Sequence, residues 1–96
     1  MSDPAAMKAD ELRAVQLGRP GWGRKGYSIV EVDAFLARAL DALTALALRR
    51  APQLTADEVQ KVRFRKEPFG RGRGHDEDQV DALLDRLELT LRTATA

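Results

Sequence analysis

GYSIVEVDAFLARAL, residues 26–40, and GHDEDQVDALLDRLE, residues 74–88, are one helix start written twice. At a spacing of 48 residues, Gly26/Gly74, Val32/Val80, Asp33/Asp81, Ala34/Ala82, Leu36/Leu84 and Arg38/Arg86 are identical. Upstream, ADELRAVQL at 9–17 lies over ADEVQKVRF at 56–64 at a spacing of 47, matching Leu12 to Val59, Val15 to Val62 and Leu17 to Phe64. Self-similarity at a fixed period marks a supersecondary unit used more than once. The chain therefore reads as two tandem repeats, residues 1–52 and 53–96, that together make one compact domain.

Each copy parses as short helix, glycine-rich basic loop, long helix. In the second, Thr55-x-x-Glu58 is a capping box with Leu54 and Val59 as its hydrophobic staple, which sets a helix start near Ala56. The first copy keeps the staple as Met7 and Leu12 but carries Lys8 at the cap, with Asp10 as the substitute. Its short helix is expected to fray by the roughly 1 kcal/mol that a missing cap costs. Ser28-x-x-Glu31 and Asp76-x-x-Gln79 start the long helices, predicted over about 29 to 49 or 50 and about 77 to 92 or 93, with Pro52 bounding the first.

Val32, Phe35, Leu36, Ala39, Leu40, Leu43, Leu46 and Ala47 form an apolar stripe at helical spacing, and so do Val80, Leu83, Leu84, Leu87 and Leu91. One helix-loop-helix unit buries little, so each stripe needs a partner. The expected fold is all-α, with the two long helices paired as a coiled-coil-like core and the short helices packed near their starts. Parallel and antiparallel pairing both fit the chain lengths, and a homodimer using the same surfaces between chains is the competing arrangement.

Charge is balanced overall at +1, so it gives no global attraction to nucleic acid or membrane, but it is unevenly placed. Lys61 to Arg73 holds six cations and one acid, whereas Asp76 to Glu88 holds six acids and one cation, Arg86. There are no cysteines, which excludes disulfides and thiolate chemistry and fits a cytoplasmic setting. MSDPAAMKADEL has neither the basic flank nor the apolar core of a signal peptide, and no apolar run approaches the roughly 20 residues of a membrane span. Membrane contact, on this reading, is peripheral.

The chemistry-bearing residues point to binding. Trp22, the only tryptophan, and its repeat counterpart Phe69 either anchor to a membrane or partner or fold back over the long helices as a core lid. Arg24, Lys25, Arg71 and Arg73 suit anionic headgroups, at about 1 kcal/mol per cation near a surface. The basic 61–75 segment offers nucleic-acid binding as an alternative, disfavoured because acids follow it directly and Phe64 takes the core position of Leu17. GRGRG resembles a phosphate cradle only superficially, since no strand precedes it.

No catalytic constellation is visible. His75, the only histidine, abuts Asp76 and has no serine or thiol placed to use it as a base. Asp33 and Asp81 read as partners of Arg38, Arg86 or the basic loops, and no cofactor or metal is expected.

The linked pattern of short helix, basic Gly-rich loop, Gly-(Tyr/His), polar cap and (Glu/Gln)-Val-Asp-x-(Phe/Leu)-Leu-x-Arg resembles the N-terminal domain of DivIVA-type proteins, bacterial cell-division and polar-growth scaffolds. GYSIVEVDAFLAR at 26–38, LTADEVQKVRF at 54–64 and DQVDALLDR at 78–86 carry the resemblance, which spans nearly the whole chain as two copies. It implies a parallel helical pair capped by crossed loops whose apolar and cationic residues bind the inner face of the membrane. Arg24 and Lys25 precede Gly26, and Gly72 and Arg73 precede Gly74, with Trp22 and Phe69 a few residues earlier. The function implied is a non-enzymatic adaptor or accessory protein of division or envelope growth, presenting its basic loops to an anionic membrane or a protein partner. A module that docks by its helices to other DivIVA-like proteins is the further alternative.

Overall fold

The computed structural model describes residues 6–67 and 72–95. Four helices follow one another: α1 (Ala9–Ala14), α2 (Ile29–Ala47), α3 (Ala56–Lys61) and α4 (Glu77–Ala94). Among the described residues there is no strand, only two isolated antiparallel bridges that join Tyr27 to Lys66 and to His75. The all-α class is as expected.

Local signals place the helix starts. Thr55 Oγ1 accepts from the Glu58 N–H at 3.1 Å while Glu58 Oε1 accepts from the Thr55 N–H at 3.2 Å, so the α3 capping box closes on itself. Lys8 supplies no side-chain cap to α1, and Asp10 pairs with Arg13 at 2.9 Å instead of capping. At the long helices Ser28 Oγ and Asp76 Oδ2 accept from the Glu31 and Gln79 amides. α2 ends two or three residues earlier than expected. Arg49 there adopts a left-handed backbone, φ 57°, and the Arg50 N–H reaches back to the Ala45 carbonyl at 2.8 Å. This is a helix-terminating turn of the kind glycine normally serves.

Both long helices begin at the bridged end and run the same way. α1 lies antiparallel to α4, with the Met7 N–H donating to Thr90 Oγ1 at 2.8 Å and Arg86 bonding Glu11 at 2.9 Å. Met7 and Thr90 also border Leu43, Leu46 and Leu48, which brings the end of α2 to the same level as the end of α4. α3 runs antiparallel to the long helices too, from the Asp57–Arg92 pair at 3.3 Å up to Lys66–Glu77 at 2.9 Å. The short helices thus flank the second halves of the long ones, whereas the sequence reading put them near the starts. An antiparallel short helix has to begin at the far end for its loop to return to the bridged end.

The core is shared by all four helices. Leu54, Leu87, Leu91, Val32, Val59 and Val80 are the largest fully buried side chains, and Met7, Leu12, Phe35, Ala39 and Leu43 join them. Both staples, half of the first predicted stripe and all of the second but Leu84 are therefore inside, while Leu36, Leu40, Leu46 and Leu84 are half-buried against the core and Ala47 is exposed. Thr90 is the buried polar side chain, and it is satisfied, accepting from Met7 and donating to the Arg86 carbonyl at 2.7 Å.

The loops cross at Gly26 and Gly74. A Cβ on Gly26 would lie 2.7 Å from the Arg73 carbonyl oxygen, and one on Gly74 would lie 2.6 Å from that of Tyr27. Gly26→Ala is expected to destabilise the protein by about 2 kcal/mol or more, since backbone rather than a side chain would have to move; chemical denaturation followed by circular dichroism measures it. Arg49→Gly is expected to stabilise by up to about 1 kcal/mol in the same assay, by relieving the left-handed residue at the α2 terminus.

Candidate interaction surface at the crossed loops

Positions that the repeat equates make matching contacts across the crossing. Tyr27 and His75, counterparts of each other, exchange both backbone hydrogen bonds, at 2.9 and 3.0 Å. The Ser28 N–H donates to the Arg65 carbonyl and the Asp76 N–H to the Gly18 carbonyl, each at 2.8 Å. In return the Arg65 N–H donates to Glu31 Oε1 at 3.0 Å and the Gly18 N–H to Gln79 Oε1 at 2.7 Å. The two long-helix capping boxes therefore depart from expectation: their cap halves are local, but Glu31 and Gln79 reach the other repeat. The cap amides are already taken by the other loop's carbonyls.

Side chains repeat the exchange. Tyr27 Oη donates to Asp81 Oδ1 at 2.9 Å, and His75 Nε2 donates to Asp33 Oδ1 at 2.8 Å. Asp33 and Asp81 thus hold the aromatic hydrogen-bonding residue of the opposite repeat, which corrects their assignment to Arg38, Arg86 or the basic loops. Those arginines take the opposite repeat's short helix: Arg38 bonds Glu58 at 3.0 Å and Arg86 bonds Glu11 at 2.9 Å. Each guanidinium holds its carboxyl partner below the ordinary range. One matching bond is missing. The Glu67 N–H donates to the Gly26 carbonyl at 2.8 Å, but the equivalent position in the first repeat is Pro20, which has no N–H to give.

Under this frame Tyr27 packs edge-on to Phe64, which packs edge-on to Phe35, with ring centroids 5.6 and 5.7 Å apart. Phe64 is half-buried against the core, as its alignment with Leu17 predicts. Burial, then the bond to Asp81, pushes the Tyr27 phenol up to about 12.

Above the frame lie the residues singled out for binding. Trp22 is 86% exposed on the glycine-flanked turn at 21–24, so the lid reading does not hold for it. Arg24 and Lys25 are exposed, and Arg24 approaches Asp78 at 3.7 Å, a surface pair worth at most about 1 kcal/mol. Arg73 is exposed as well. Phe69 and Arg71 lie outside the described residues. The structure therefore brings Trp22, Arg24, Lys25 and Arg73 to one end of the molecule, where both long helices start.

Three contributors escaped the sequence reading. Arg19 lines a depression with Arg73, Leu17 and Ile29 between the two loops. Ile29 and Val30, in the first turn of α2, are 44% and 78% exposed. The signal for the last two was present, since their repeat counterparts are Glu77 and Asp78. No protein-family model, curated protein or solved structure matches the chain.

Tyr27 is the only tyrosine, so its titration can be followed by tyrosinate ultraviolet absorbance without ambiguity. The midpoint is expected near 12 in the folded protein, against roughly 10 unfolded, and Asp81→Asn is expected to lower it. Because the folded value is the raised one, the associated stability is fully present below the unfolded value. It is lost as the pH rises through the folded value.

Proposed function

We propose that the protein is a non-enzymatic adaptor that lays its crossed-loop end against an anionic membrane surface, in bacterial cell division or envelope growth. The observation that carries this reading is the exposed Trp22 ring standing beside Arg24 and Lys25 at the end where both long helices begin. An indole on a short loop can settle at the headgroup level while neighbouring cations meet lipid phosphates. The helical frame beneath holds the loops by backbone bonds from both sides, so little ordering would be left for the moment of contact. Contact of this kind is peripheral: among the described residues no helix is long and apolar enough to cross a membrane. The setting in division or envelope growth rests on the resemblance to the DivIVA-type domain.

Trp22, as the only tryptophan, is also the reporter. With vesicles of phosphatidylglycerol at low salt, co-sedimentation and a blue shift of the tryptophan emission are expected, with neither on phosphatidylcholine. Reversing Arg24, Lys25 and Arg73 to Glu is expected to weaken binding at least tenfold, given about 1 kcal/mol per cation. Failure to sediment at low salt, or binding indifferent to the reversals, would overturn the reading.

A further inference from the structure

The frame that holds the two loops is close to two-fold symmetric in its hydrogen bonds, but the surface that it presents is not. In α4 the first turn carries Glu77 and Asp78, where carboxylates suit the positive end of a helix dipole. Glu77 pairs with Lys66 at 2.9 Å, and the exposed Asp78 lies 3.7 Å from Arg24. In α2 the same two positions are Ile29 and Val30, and the acid of that turn is Glu31, which is committed to the Arg65 amide. Val30 is as badly buried as a surface residue, and Ile29 is nearly half exposed. Neither caps the helix or complements its dipole, and neither closes the core.

Of the large hydrophobic residues left exposed among those described, Trp22, Ile29 and Val30 belong to the loop and first turn that open α2, while Val15 follows α1, Leu48 ends α2 and Leu89 lies in the second half of α4. Ile29 shares its depression, about 590 Å³, with Arg19, Arg73 and the carboxylate of Glu67. Neither arginine forms an ion pair among the described residues. Apolar side chains exposed at a helix start, with cations beside them, complement a lipid interface: the phosphates meet the cations and the acyl boundary meets the apolar groups. An acidic helix start at the matching position on the other side would be repelled by the same phosphates.

We infer that the docking is one-sided: Ile29 and Val30, with Trp22, enter the anionic lipid surface, while Glu77 and Asp78 stay in water, so that the protein leans onto the membrane through its first repeat. This inference rests on the membrane reading above and adds the first turn of α2 to the contact.

The chain has no cysteine, so Val30→Cys and Asp78→Cys, which occupy equivalent repeat positions, can each carry one environment-sensitive fluorophore. On phosphatidylglycerol vesicles the label at 30 is expected to shift to the blue and to be quenched by lipid-borne quenchers. The label at 78 is expected to keep its aqueous spectrum. In parallel, the unlabelled double variant Ile29→Glu, Val30→Glu, checked for retained helix content, is expected to bind at least tenfold more weakly than wild type. If wild type binds but both labels respond alike, or the double variant binds as wild type does, one-sided docking is wrong and the membrane reading survives. If wild type does not bind these vesicles and Trp22 emission does not move, both fall together.

Discussion

The fold depends on two stretches of backbone passing closer than any side chain allows. At Gly26 and Gly74 the chains cross with carbonyl oxygens where a Cβ would otherwise sit. That approach lets Tyr27 and His75 pair as an isolated antiparallel bridge. Once they are paired, the amides of Ser28 and Asp76, left free by any helix start, fall opposite the carbonyls of Arg65 and Gly18. The helix starts are thus capped twice, by their own side chains and by the other repeat. Helix direction follows, because two helices whose first amides are held at one point run alongside each other from there.

This arrangement explains why two polar positions are identical in the two copies. Apolar positions tolerate exchange, as Phe35 against Leu83 and Ala39 against Leu87 show, provided the summed volume fills the core. Asp33 and Asp81 are identical because each must accept from a hydrogen-bonding ring of the other copy. Tyrosine and histidine can both fill that role, each placing a donor at the rim of a flat ring. Arg38 and Arg86 are identical because each spans from a long helix to a carboxylate on the opposite short one.

Much of this was legible in the sequence, and the missing parts have a common cause. Caps, staples and stripes are local patterns, and Thr55, Leu54, Met7, Val32 and Leu87 all behave as their spacing predicts. Glu31 and Gln79 did not, because a capping-box pattern is the same whether the third side chain turns back to its own cap or reaches another segment. What decides is whether the cap amide is already occupied, and its occupant lies tens of residues away. Trp22 is a similar case. A ring between two glycines has no local force to aim it, so its exposure depends on whether any apolar surface lies within reach of the loop. The antiparallel short helices occupy the second halves of α2 and α4, so no short helix stands at the end where the loop turns to receive the ring.

A pair formed between two separate copies of one chain must present the same residues twice, because isologous contacts repeat every substitution. Joining the two units in one chain removes that constraint. Pairing becomes intramolecular, at an effective concentration set by the short connection from Arg49 to Thr55 rather than by the protein's abundance. The residues that hold the crossing must stay complementary, and they do. Residues outside it are free to diverge, and the divergence here is directional: Ile29 and Val30 against Glu77 and Asp78, Pro20 against Glu67, Trp22 in a loop whose partner copy carries a different sequence. The nearly symmetric frame fixes where each loop stands, and holding both halves in one chain allows one helix start to be apolar while its counterpart is acidic.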